Sequence, residues 1–189
     1  KLMSYLNLNK NFIGGSVTIP YKEKIFKLLK HNSTKLSQKI EAINCIYRNK
    51  NNILSVTNTD GEAALFAFKK KFQKLNTKRI LLLGCGGAGK AVGTYFSQLR
   101  TLKKMTILSR KLKDKNFAKK IKANWMHRKN IKKLNHDYDL IINCTSLGFN
   151  NQEKKTPLPE KYIRKLNKKT ILYDIIYKPK NTKLLTIGK

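Results

Sequence analysis

Residues 79–90 read Arg79-Ile80-Leu81-Leu82-Leu83-Gly84-Cys85-Gly86-Gly87-Ala88-Gly89-Lys90: an apolar run, a glycine-rich turn, and the start of a helical pattern. A continuous apolar run bounded by a turn fits a strand buried on both faces. The turn matches G-x-G-x-x-G, in which each glycine has a separate task. Gly84 permits the tight turn, Gly86 lets the backbone approach a pyrophosphate, and Gly89 allows the helix to pack closely on the strand. The leading N–H groups of the helix, from Gly87 and Ala88 onward, then face the anion. Strand, turn and helix in immediate succession predict a dinucleotide site formed by Gly84, Gly86, Gly87, Ala88 and Gly89. Without that context the same glycines would be only a structural turn.

Downstream, strands and helices alternate. Apolar strand patterns fall at Met105–Leu108, Leu140–Asn143 and Thr170–Ile175, with a weaker one near Trp125-Met126. Helical patterns fall at Ala88–Leu99, Phe117–Ala123 and Glu160–Leu166. Right-handed crossovers would wind these strands into a Rossmann-like, doubly wound parallel sheet. In NAD sites an acidic residue ends the strand after the glycine turn and binds the ribose 2′-hydroxyl. Here that strand ends in Ser109-Arg110-Lys111, and no Asp or Glu occurs between Gly89 and Asp114. Ser109 and Arg110 therefore point to a 2′-phosphate, and so to NADP as cofactor.

Upstream, Phe12–Ile19 reads as a short buried strand, and Pro20 suits the first turn of a helix through Ile25, Leu28 and Leu29. Ala42–Arg48 and Ile53–Thr57 flank a polar turn and predict a hairpin. Asp60 is placed to N-cap a helix running from Gly61 to about Leu75. The expected organisation is a partial α/β substrate-binding unit over residues 1–60 and a connecting helix over 61–78. A cofactor-binding unit over 79–178 follows, with the start of a return to the first unit over 179–189.

Lys and Arg number 42 against 10 Asp and Glu, a formal charge of +32. Such a balance normally suggests a nucleic-acid partner. Yet 36 of those cations are Lys, spread along the whole length with abundant Asn and Ile. All three residues have A/T-rich codons, so the charge reads as a coding bias on solvated positions and not as a nucleic-acid footprint. Three scattered cysteines give neither a disulfide framework nor a metal site, and fit a reducing, cytoplasmic setting. No run approaches the ~18 apolar residues of a membrane span. The start at Lys1 and the stop in mid-pattern suggest a fragment or a processed product, and the sequence leaves monomer or homodimer open.

Further strings resemble the shikimate dehydrogenase family. They are Val17-Thr18-Ile19-Pro20-Tyr21-Lys22, Ala42-Ile43-Asn44-Cys45 with Asn58-Thr59-Asp60-Gly61, and Asn143-Cys144-Thr145-Ser146-Leu147-Gly148 with Asp174-Ile175-Ile176-Tyr177. The resemblance implies a two-unit enzyme that uses NADPH to reduce 3-dehydroshikimate to shikimate. It implies Lys22 and Asp60 as catalytic pair, and Thr18, Asn44 and Tyr177 as substrate contacts. Thr145, Ser146 and Ile176 would lie near the nicotinamide. An ammonium is chemically apt there, since hydride delivery builds charge on the ketone oxygen, which the ammonium stabilises and protonates.

The pattern departs in places. The family's serine-rich carboxylate-binding segment has no counterpart before Phe12, and its returning helices none before Lys189. Cys45 stands where Thr is usual, and Ser109 and Lys111 replace the flanks of N-R-T. The missing donors put turnover by these residues alone in question. The rivals are an NAD-using quinate/shikimate relative, an inactive basic relic that binds nucleic acid, and another two-domain oxidoreductase such as a methylene-tetrahydrofolate dehydrogenase.

Overall fold

The computed structural model describes residues 2–72 and 76–189. The front of the chain gives α1 (Leu2–Leu8), β1 (Gly14–Ser16), α2 (Lys22–Leu28), α3 (Lys35–Ile40), β2 (Cys45–Arg48) and β3 (Leu54–Thr57). The three strands form an antiparallel sheet in the order β1-β2-β3. Ile25, Phe26 and Leu29 of the α2 region bury against Ile43, Ile46, Leu54 and Val56. The expected hairpin forms, with Asn52 at φ 58 in its turn and the Asn49 side chain accepting from the N–H groups of Asn51 and Ile53. The expected buried strand Phe12–Ile19 is corrected: only Gly14–Ser16 pairs, and all three residues are exposed. They lie on a sheet edge, and glycines carry no side chain to bury there.

The helix α4 (Asp60–Lys71) leads into the second sheet; its expected extension to about Leu75 falls outside the described residues. The elements that follow are β4 (Arg79–Leu83), α5 (Gly87–Phe96), β5 (Lys104–Ser109), α6 (Asp114–Lys120), β6 (Asn124–His127), β7 (Leu140–Asn143), α7 (Glu160–Ile163), β8 (Ile171–Asp174) and α8 (Lys183–Ile187). The five strands are parallel, in the order β6-β5-β4-β7-β8. Strand alternation splits the core in two. Ile80, Leu82, Ile107 and Ile142 pack against α4, α5 and α6, whereas Leu81, Leu83, Leu108 and Ile141 pack against α7 and α8. Helices thus cover both faces, as the apolar strand runs require. From β4 the chain steps outward to β5 and β6, then crosses back to β7 on the other side of β4, so the glycine turn sits at the switch point where ligands bind in such sheets. Residues 183–187, in the segment expected to begin a return to the front unit, place Leu184 and Ile187 on the second face of this sheet.

Candidate active site

The glycine turn has the expected tight geometry. Gly84 adopts φ +90, which L side chains rarely tolerate. A Cβ at Gly89 would lie 2.3 Å from the Gly84 carbonyl oxygen, so strand and helix are in backbone contact. At Gly86 a Cβ would meet nothing within 4 Å, so this side of the turn is open. Gly86 N-caps α5 without a side-chain bond, leaving the leading N–H groups of the helix directed outward. That combination of a closed turn and an open anion-facing side fits a pyrophosphate. The turn opens on a cleft of about 450 Å³, a volume typical of small-ligand sites.

The front unit supplies the other wall through Ile19 and Pro20 of the loop after β1 and Lys22 at the start of α2. Lys22 opens α2, and its Nζ lies 2.6 Å from Asp60 Oδ2. Asn44 Nδ2 donates to the other carboxylate oxygen at 2.7 Å, while Asn44 Oδ1 accepts from the Thr59 N–H. Asn58, buried, donates to the Ala42 carbonyl and accepts from the Asp60 N–H. Asp60 is thereby corrected as a cap: Thr59 occupies the N-cap position, and the Asp60 carboxylate is taken by Lys22 and Asn44. The Lys22 side chain is 15% exposed and that of Asp60 25%, so Lys22 reaches the cleft while most of the pair is shielded from water.

Of the residues singled out in the sequence, Lys22, Gly84, Gly86, Gly87, Ala88, Ser109, Arg110, Thr145 and Ser146 line this cleft together. Gly89 lies behind the turn. Asn44 and Asp60 stand behind Lys22 and do not line it. Thr18 is exposed outside the cleft, and Tyr177 is 84% exposed with its ring 6.4 Å from that of Phe149. Ile176 packs by Gly148. Three residues that the sequence reading left unassigned join the site. Arg128 lines the cleft, Glu23 lines it and faces Lys90, and His127 bonds to Arg110. Only Arg128 carried a usable signal, an arginine just past a strand end in a chain of lysines.

The loop after β7 is held from below by a buried amide. Asn143 donates to both oxygens of Asp174 at 3.1 Å and accepts from the Thr145 N–H and hydroxyl. Asp174 also accepts from the Ile176 N–H and the Thr182 hydroxyl. Burial pushes its carboxyl above the usual range, against the opposing pull of those hydrogen bonds.

Fold and cleft together define a Rossmann-like dinucleotide-fold protein with a smaller α/β unit facing the glycine turn. The family profile described as Shikimate / quinate 5-dehydrogenase matches residues 67–183, and the chain belongs to that family. A shikimate dehydrogenase (NADP(+)) of Prochlorococcus marinus strain MIT 9301 is 36% identical over 185 residues, covering 93% of this chain and 63% of the relative. One from Clostridium beijerinckii is 33% identical over all of this chain and 67% of its own length. A crystal structure of a shikimate dehydrogenase in complex with NADP+ superposes with TM-score 0.82 at 26% identity, covering 99% of this chain and 66% of the other. The chain thus spans about two thirds of the length of these relatives.

Proposed function

We propose that this chain is the catalytic and cofactor-binding part of a shikimate dehydrogenase, reversibly reducing 3-dehydroshikimate to shikimate with NADPH. The observation that carries this reading is Lys22, on the wall of the cleft that holds the glycine turn, with Asp60 behind it at 2.6 Å. NADPH, when bound, supplies the hydride. Lys22 stabilises the charge that develops on the ketone oxygen and gives that oxygen its proton. As the C=O bond becomes an alcohol, the neutral amine left on Lys22 is reprotonated from solvent. Asp60 holds the amine in place, and Asn44 holds Asp60.

In this reading residues 1–60 form the substrate unit, 61–78 the connection, 79–178 the NADP unit and 179–189 the start of a return. Thr18, Asn44 and Tyr177 serve the substrate, and Thr145, Ser146 and Ile176 the nicotinamide end. Gly84, Gly86, Gly87, Ala88 and Gly89 take the pyrophosphate, and Ser109 and Arg110 the 2′-phosphate. The names of the NADP(+) relatives support this cofactor, as does the absence of a carboxylate at the end of β5. The protein would work in the cytoplasm as a monomer or homodimer, without a nucleic-acid partner. No described helix is long and apolar enough to cross a membrane.

The test is Lys22→Ala in the full-length protein, assayed for shikimate oxidation and, separately, for NADP binding. Turnover is expected to collapse with binding retained; equal loss of both would make Lys22 structural. Rates with shikimate and quinate, each with NADP and NAD, set this reading against its nearest rival.

A further inference from the structure

We infer that Arg128 is a specificity-determining residue, a second cation for the cofactor's 2′-phosphate beside Arg110. The inference deepens the NADP reading and rests on it. β5 and β6 are parallel neighbours with Ser109 opposite His127. The next residues, Arg110 and Arg128, therefore leave the sheet side by side, and both line the cleft with Lys111. Neither guanidinium is paired with a carboxylate among the described residues. The cleft's own carboxylates are Glu23, which faces Lys90, and Asp114, buried in the first turn of α6. Arg110, Lys111 and Arg128 thus outnumber the carboxylate at this end of the cleft.

β6 also braces the loop that carries Arg110. Trp125 Nε1 donates to Ser109 Oγ at 2.8 Å. The Lys129 N–H donates to His127 Nδ1 at 3.2 Å, which leaves the ring hydrogen on Nε2. Nε2 then donates to the Arg110 carbonyl at 3.0 Å. The Trp125 and His127 rings meet edge to face with centroids 5.8 Å apart. One edge strand therefore fixes Ser109 and Arg110 and presents Arg128 beside them. A planar guanidinium suits a phosphate, and Arg128, half-buried, has less water to lose than a fully solvated lysine.

The test measures binding of 2′,5′-ADP and of 5′-AMP to the full chain by calorimetry, without any turnover assay. In Arg128→Ala and Arg128→Gln, affinity for 2′,5′-ADP is expected to fall about tenfold while that for 5′-AMP stays unchanged. Arg110→Ala serves as the parallel case, and thermal melts confirm that each variant is folded. If the unaltered chain prefers 2′,5′-ADP and the Arg128 variants keep that preference, the second cation is overturned and the NADP reading stands. If the unaltered chain binds both nucleotides equally, both fall together. Equal losses for the two nucleotides in a folded variant would also overturn the role, since the effect would not concern the 2′-phosphate.

Discussion

Lys22 and Gly87 meet across the two halves of the fold: a Cβ on Gly87 would lie 2.7 Å from that of Lys22 and 3.3 Å from its Cδ. The stem of the lysine thus rests on the first residue of α5, at the glycine turn. Gly87→Ala must displace α2 at its first turn, because the crowded atom is the near end of the side chain. A misplacement of about 1 Å at a reacting group costs on the order of a hundredfold in rate. Gly87→Ala is therefore expected to lower kcat by that order and to shift Lys22 in a crystal structure. Gly86→Ala meets nothing within 4 Å and should leave the unliganded fold unchanged while weakening NADP binding. Identical effects of the two substitutions would contradict this division of labour.

Asp60→Asn preserves shape but removes the charge that holds Lys22. Proton-transfer groups contribute about 10²–10⁴ in rate, and a loss of about a hundredfold in kcat is expected with NADP affinity unaltered. Stability should change little, because Thr59 and not Asp60 occupies the cap. A large drop in melting temperature would mean that the carboxylate serves the fold.

The β4–α5 turn was legible in the sequence because each of its requirements is local: an apolar run, three spaced glycines and a helix. Asp60 shows the opposite case. A carboxylate ahead of a helix reads as a cap, and what overrules it are partners 38 and 16 residues away, Lys22 and Asn44, which no local pattern records. The apolar residues of Phe12–Ile19 fit a buried strand, but burial depends on where a strand lies in its sheet, and β1 is an edge. His127 was invisible for the same long-range reason: its role comes from strand register, which sets Ser109 beside it. Lys90 was hidden among the many other lysines.

Alkaline conditions should weaken this protein through its buried thiols and phenols. Burial pushes Cys85 up from its usual 9.0 to about 12, and Cys144, Tyr138, Tyr162 and Tyr173 are raised by burial too. Above about pH 9 the unfolded chain releases thiol protons that the folded chain retains, so stability falls as pH rises from there toward 12. Melting temperatures at pH 8, 9 and 10 should decline steadily over the upper interval. Below pH 8 these groups are protonated in both states and contribute no slope. In the native protein at pH 8, a thiol reagent should label Cys45 and spare Cys85; rapid labelling of Cys85 would refute its burial.

The two halves are also joined by charge at Lys90, whose side chain is only 9% exposed. Its Nζ lies 3.4 Å from Glu23 and 3.5 Å from Glu41, both on the front unit, and 5.7 Å above the Phe117 ring. Glu41 also reaches Lys120 at 3.0 Å. It sits at φ 61, a conformation that costs a non-glycine residue about 1 kcal/mol. Because two carboxylates serve one shielded ammonium, either can cover for the other. Glu23→Gln and Glu41→Gln are each expected to cost about 1 kcal/mol or less. Together they leave Lys90 buried without a counter-charge, and the double variant should lose about 3 kcal/mol. Lys90→Met removes the buried charge instead and keeps an apolar stem against Phe117, so its cost should stay near 1 kcal/mol. Denaturant titrations of the four proteins form a double-mutant cycle with an added control. Simple additivity of the two glutamine substitutions would show that Glu23 and Glu41 do not share Lys90.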